Sequence, residues 1–308
     1  MGHHLKKILI LTHEAHPLDS QRYLVGLVAA RWREWGIEVK ELRGPDRFED
    51  ADLAVQHVNL TVVPREYVQF LDRYPVVVNR GAVDISKSRV STNLVGPGDA
   101  YSGPVIVKTD RNFGGRPEEA LRRQGHWLKQ VGSRVLERWS RRFAPLTART
   151  RTLKRYPIFP SLDAVPDAVF ANPHLVVEKF LPEFHDGCYW LRTYVFLGDR
   201  HVGRCSSARQ TPVKAANTVS SETIPVPDEL HVARARLGFD YGKFDYVVHD
   251  GRIVLLDANR TPTYASVPPS DRVLTLARTL AEGVFSLADQ ATADADPSHA
   301  HPDRRRCA

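Results

Sequence analysis

The stretch from Phe244 to Pro262 constrains this chain most. Two apolar runs flank Asp250-Gly251, the signal for antiparallel strands joined by a tight turn. Asp245 lies inside the first run, and Asp257 and Asn259 close the second. A carboxylate in an apolar strand is costly unless it is paired or holds a cation. Three oxygen-bearing side chains on adjacent strands suit a hard cation such as magnesium, which is held by carboxylates together with a substrate's phosphates. Asp257 and Asn259 share a face because strand side chains alternate. Asp245 joins them if the loop has odd length, and a three-residue loop His249–Gly251 supplies that parity. The competing reading is a hairpin whose aspartates cap turns or pair with arginine.

The 308 residues allow more than one core, with ordinary hydrophobic and charged fractions of 42% and 26%. No apolar run is long enough to span a membrane as a helix. Cys188, Cys205 and Cys307 show no paired spacing. They suit a reducing cytoplasm and argue against a zinc ribbon or a disulfide scaffold. The net charge of +7 is concentrated: residues 116–155 hold 12 Lys/Arg against 3 Asp/Glu, which leaves the rest of the chain near −2. Such a segment predicts an anionic partner or, alternatively, a solvated helix face.

The first 85 residues alternate strand-like and helical runs, so an α/β layer is expected. Its strands are Lys7–Thr12, Ile37–Leu42, Leu53–Val58 and Val76–Asn79. Leu24, Val28, Trp32 and Trp35 fall at helical spacing and are expected in the core. No glycine-rich dinucleotide fingerprint follows the first strand. Polar residues gather where these strands end: His13 and Glu14, His57 and Asn59, Asn79 and Arg80. In open parallel sheets that edge takes ligands.

Lys87 lies in a short helical start, and Lys108 lies on a strand that runs into Gly114-Gly115, a loop suited to phosphate. The strand Leu175–Glu178 runs into an extended Lys179-Phe180-Leu181. Backbone groups on its unpaired edge, with Glu178, can meet an adenine. Two further strands surround Gly198-Asp199; Arg192 lies within the first and Arg204 follows the second. A guanidinium held on a strand can clamp a phosphoryl group.

In this order (lysine, strand lysine, glycine loop, Glu178 hinge, strand arginine, Asp245, Asp257-Ala-Asn259) the chain from Lys87 to Pro262 resembles the ATP-grasp superfamily. The stretches 191–198 and 255–262 look most like its α-L-glutamate ligase branch. The resemblance implies a Rossmann-like pre-ATP-grasp layer over residues 1–85 and an ATP-grasp domain over 86–288. It also implies a basic helical insertion at about 116–155, and a tail at 289–308 has the composition of a disordered segment. Residues 271–288 read as one amphipathic closing helix.

The implied activity is ATP-dependent joining of a carboxylate, on a small molecule or a peptide, to an amine through an acyl phosphate, releasing ADP. An ATP-grasp small-molecule kinase and a non-catalytic anion or nucleic-acid binder are the alternatives. By the resemblance, Lys87 and Lys108 with Gly114 and Gly115 meet phosphates. Glu178, Lys179, Phe180 and Leu181 hold adenine, and Glu183 contacts the ribose. Asp245, Asp257 and Asn259 hold magnesium, with manganese as an alternative, and Arg192 or Arg204 stabilises the oxyanion. A homodimer is compatible with it. The branch usually has Glu where this chain has Asp257, its two lysines stand further apart than Lys87 and Lys108, and the basic segment looks inserted. Within that segment Leu121, Leu128, Val131, Val135 and Trp139 recur at helical spacing.

Overall fold

A computed structural model describes residues 5–124, 146, 150–153, 155–214 and 217–295. Most of the basic segment therefore lies outside the described residues, including Leu128, Val131, Val135 and Trp139, as does the end of the expected tail.

The first layer is a parallel sheet of β1 (Lys7–Thr12), β2 (Glu38–Arg43), β3 (Leu53–His57) and β4 (Val76–Val78) in the order β2-β1-β3-β4. Both faces of β1 are covered, as its unbroken apolar run requires. Ile8 and Ile10 pack with Val25, Val28 and Trp32 of α1 (Leu24–Glu34). Leu9 and Leu11 pack with Tyr67, Phe70 and Leu71 from α2 (Arg65–Leu71). Trp35 departs from expectation. It caps α1 at 44% exposure and lies against Phe285, because the helix ends one residue earlier.

After a single turn of helix, α3 (Lys87–Val90), comes a small antiparallel sheet of β5 (Val105–Thr109), β6 (Ile158–Phe159) and β7 (Leu175–Lys179), ordered β6-β5-β7. Between β5 and β6 lies α4 (Arg116–Gln124), whose Leu121 packs onto the α2 side of the first layer. A short α5 (Asp167–Phe170) precedes β7.

The second large sheet is antiparallel: β8 (Glu183–His185), β9 (Cys188–Leu197), β10 (Arg200–Ala208), β11 (Ser220–Ile224), β12 (Tyr241–His249) and β13 (Arg252–Asn259). Its order is β11-β10-β9-β12-β13, with β8 on β9. One face buries Tyr194, Phe196, Phe244 and Tyr246 with Leu230 of α6 (Asp228–Arg236). On the other face Val195, Leu197 and Tyr241 join the α1 core, together with Ala277 and Leu280 of α7 (Asp271–Ala281). The closing segment is two helices, not one. Glu282 separates α7 from α8 (Gly283–Ala295), and a Cβ at Gly283 would overlap the Leu197 carbonyl. Helix α8 also continues past Asp289, where a disordered tail was expected.

Two devices join the first layer to the large sheet. Asn79, left-handed at φ 67°, donates its backbone N–H to Asp240 Oδ2 (2.6 Å) and its amide to the Tyr241 carbonyl (2.9 Å). Its Oδ1 accepts from the Asp240 and Tyr241 N–H groups at 2.9 and 2.8 Å. Arg260, fully buried just after β13, donates to the carbonyls of Val58, Leu60, Thr61, Ala82 and Val83. Burial pulls its pKa down to about 9, still above neutrality, so five carbonyls share a guanidinium charge.

Candidate functional site

The β12–β13 turn has two residues, Asp250 and Gly251, both at positive φ (49° and 73°), and His249 faces Arg252. The expected three-residue loop is absent. A two-residue turn on a regular ladder would set Leu256 opposite Asp245 and turn Asp257 to the other face. A bulge corrects the parity: the register shifts between Asp245 and Tyr246, Leu255 faces Tyr246, and Asp257 faces Asp245. The extra residue is Leu256, so the strand, not the loop, brings the carboxylates together.

This register continues across the sheet. Thr193 faces Asp245, Arg204 faces Thr193, and Thr223 faces Arg204. Thr223, Arg204, Thr193, Asp245 and Asp257 thus form one row on one face. Lys243, two residues before Asp245, shares that face, and its Nζ lies 3.0 Å from Asp245 Oδ1. Nothing in the sequence reading singled it out. Its i−2 spacing from an expected ligand on the same strand was the available signal.

Two buried lysines converge on this row. Lys87 Nζ lies 3.5 Å from Asp257 Oδ1. Lys108 Nζ donates to Glu178 Oε2 at 2.7 Å and approaches the carbonyl of the bulged Leu256 at 3.5 Å. Three lysines and three carboxylates therefore interlock. Burial lowers the pKa of the Lys87 ammonium, but Asp257, Tyr156 and Glu178 more than offset it, and the net direction is up. For Lys243 burial acts the same way and Asp245 and Asp257 outweigh it, again raising the pKa. Burial raises the Asp245 pKa; Lys243 opposes this and nearby Asp257 adds to it. Asp245 is the member whose charge is least well compensated.

Other expected site residues are placed as follows. Glu178 is buried against Lys108. The hinge edge beside it is not free: Lys179 N–H donates to Asn93 O (2.9 Å) and Phe180 N–H to Pro104 O (2.8 Å), and Leu94 bridges to Glu178. Asn93 and Pro104 take those two donors, so an open hinge is corrected for these two residues, while Leu181 follows them. Glu183 is held bidentately by Arg192, with Nη2 to Oε1 at 2.7 Å, and accepts from Val248 N–H at 2.7 Å. Although burial raises the Glu183 pKa, Arg192 and that N–H lower it further, and the net direction is down. Arg192 faces Tyr246 and Cys205, on the side of the sheet away from Asp245. Gly114 and Gly115 are buried at positive φ, and a Cβ on them would press on the Leu153 and Arg151 carbonyls.

At the edge of the first layer Asn79 and Arg80 are consumed structurally, Arg80 by Asp72 and the Tyr74 carbonyl. His57 is buried against Tyr23, and burial drives its pKa down to about 3, so it is neutral. Asn59 bonds to Tyr23 Oη (2.9 Å) and accepts from Thr261 Oγ1 (3.0 Å), tying this edge to the end of β13. His13 stacks on Tyr67. A cavity of about 450 Å³ lies beside Lys87, lined by Thr61, Ser86, Asp110, Arg111, Glu118 and Arg151 among others.

The donor set fits magnesium. Two like charges directly opposite on adjacent strands destabilise a sheet unless a cation lies between them. The underpaired Asp245 is one of the two. Asn259 Oδ1 accepts from Thr261 N–H at 2.9 Å, and an amide oxygen has a second lone pair. Among the described residues no group of three His, Cys, Asp or Glu forms a metal cluster, so two carboxylates leave further positions for phosphate oxygens and water.

No family model matches the sequence, and no curated protein does. Its structural neighbours are ATP-grasp ligases. A RimK domain ATP-grasp protein from Sphaerobacter thermophilus is 14% identical, with a TM-score of 0.49 over 91% of this chain and 99% of that one. A D-alanine–D-alanine ligase from Bacillus anthracis is 12% identical, with a TM-score of 0.46 over 94% and 98%. A RiPP-associated ATP-grasp ligase from Chryseobacterium gregarium, in complex with ADP and a leader and core peptide, is 12% identical, with a TM-score of 0.44 over 95% and 98%. At these scores the likeness carries no weight of its own. The functional reading rests on the register and charges described above.

Proposed function

We propose that this chain is an ATP-dependent carboxylate–amine ligase that forms an amide or peptide bond through an acyl phosphate, with an α/β layer to about residue 85 preceding an ATP-grasp domain. One observation carries the reading: two buried lysines from separate elements converge on the β12–β13 bulge, Lys87 onto Asp257 and Lys108 onto Glu178 and the carbonyl of the bulged Leu256. Their present partners, Asp257 and Glu178, are carboxylates. ATP phosphates would replace them, which keeps the ammonium groups neutralised in both states. Held by Asp245, Asp257 and Asn259, magnesium would neutralise charge on those phosphates.

A substrate carboxylate oxygen attacks the γ-phosphorus and ADP leaves. The amine then attacks the acyl carbon, phosphate leaves, and the ammonium proton passes to solvent or to that phosphate. Lys243, beside the carboxylates on the same face, takes the oxyanion-stabilising role expected of an arginine. Arg192 faces away and is locked to Glu183, and Arg204 stands two strands from Asp245. Glu178 acts as a positioning residue for Lys108.

ADP release against a matrix of amino-acid and short-peptide donors and acceptors, with mass spectrometry of the products, is the test. The expected product is an amide formed only with ATP and both substrates. A phosphate ester would make the protein a kinase instead, and ADP release with no acceptor dependence would end the ligase reading.

A further inference from the structure

Asn59 lies two residues past β3, and no step of the ligase reading uses it. Around it the first layer grips the segment that follows Asn259. Leu24 N–H, at the start of α1, donates to the Pro262 carbonyl at 2.8 Å, and Tyr264 N–H donates to the Arg22 carbonyl at 3.0 Å. Tyr23 bridges to Thr263. Beside these backbone links runs a chain of side chains: Asn259, Thr261, Asn59 and Tyr23. Thr261 is 5% exposed, so its hydroxyl proton goes to an acceptor of the protein rather than to bulk water. Two oxygens are in reach, Asn59 Oδ1 at 3.0 Å and Asn259 Oδ1 at 3.5 Å.

A hydroxyl has one proton to give, and the distances send it to Asn59. Asn59 is oriented to receive it: its amide Nδ2 donates to Tyr23 Oη at 2.9 Å, which turns Oδ1 toward Thr261. Asn259 Oδ1 is left with one donor, the Thr261 backbone N–H at 2.9 Å, and one open lone pair. Were Asn59 absent, the same hydroxyl would turn to Asn259 and occupy that lone pair as well. We propose that Asn59 is a positioning residue for the magnesium site: it holds the Thr261 hydroxyl and so keeps Asn259 Oδ1 open to the cation. The first layer then tunes the affinity for an ion held by the large sheet. This role rests on the magnesium assigned to Asn259 above and is independent of which acceptor the enzyme uses.

The test is calorimetry of ATP binding by the full-length protein in EDTA and with magnesium, the ratio of the two affinities being the readout. Asn59→Leu keeps the size and drops the hydrogen bonds. It should cut the magnesium gain about tenfold, within the range for outer-shell partners of metal ligands, and leave the affinity in EDTA unchanged. Thr261→Val keeps the N–H and removes the hydroxyl, so Asn59→Leu/Thr261→Val should recover the wild-type gain. Loss of mere packing at Asn59 would not be mended by removing a second polar group. Tyr23→Phe removes only the oxygen that orients Asn59 and should lower the gain in the same direction. Alone and with Thr261→Val, it takes the place of Asn59→Leu should that variant not fold. An undiminished gain in the single variant, or no recovery in the double, overturns the role of Asn59. Failure of the magnesium assignment looks different: the wild type itself binds ATP equally well in EDTA, and Asn59 loses its role with it. Failure of the ligase chemistry differs again, leaving the gain and its recovery intact while no donor and acceptor yield an amide.

Discussion

Asp257 and Asp245 face each other, yet their substitution should have opposite consequences for stability. Asp257 is the ion partner of Lys87, whose side chain is 4% exposed. Asp257→Asn keeps the shape but removes charge from both Lys87 and the cation position. Turnover should fall about a hundredfold or more, the rate equivalent of roughly 3 kcal/mol at the transition state. The melting temperature should also drop, because Lys87 stays buried with less compensation. Steady-state ADP release and thermal melts measure the two. Asp257→Glu, which restores the side chain usual in the resembling family, should retain activity.

Asp245 is the reverse case. Its folded pKa lies above the ordinary aspartate value, so folding takes up a proton between the unfolded and folded values. Stability falls as pH rises through that window and stays lowered above it. Asp245→Asn should therefore melt higher than wild type at neutral pH without nucleotide, and should be inactive. A lower melting temperature would show that the Lys243 pair outweighs the burial of Asp245.

At the scale of elements, close approaches decide which helices dock. Gly283 begins α8 where the Leu197 carbonyl comes against it, at the β9–β10 turn. Gly283→Ala should cost about 1–3 kcal/mol through overpacking, read as a lower midpoint in urea. Gly251→Ala should cost less: its φ is positive but open space surrounds its Cβ position. The bulge at Leu256 is the element on which the site depends. It turns Asp257 toward Asp245 and presents a carbonyl to Lys108, two effects that a regular hairpin would forfeit.

For the whole molecule the expectation concerns ATP and magnesium together. Lysines already satisfied by carboxylates offer little net attraction to a tetra-anion unless those carboxylates gain another cation. Calorimetry should show weak ATP binding in EDTA and tighter binding with magnesium, the difference being lost in Asp257→Asn. Equal affinity with and without the ion would remove the magnesium assignment. The described helices include none long and apolar enough to cross a membrane.

The sequence by itself determined the strands of the first layer and the hairpin around Asp250-Gly251, because apolar period and turn chemistry are local properties. It also marked Lys108, Asp245 and Asp257, since a charge inside an apolar run stands out without any partner being known, whereas Lys87 and Asn259 stood out by their place in the order of motifs. Parity was different. Whether Asp257 faces Asp245 depends on a bulge that only cross-strand packing selects, with Tyr246 and Leu255 fixed in one core and the polar pair in the other face. Partnership was different as well: that Arg192 is spent on Glu183 and that Asn93 and Pro104 take the hinge donors are contacts between distant segments. Their energies depend on burial and distance, which no local pattern of residues encodes, so tertiary structure alone decided them.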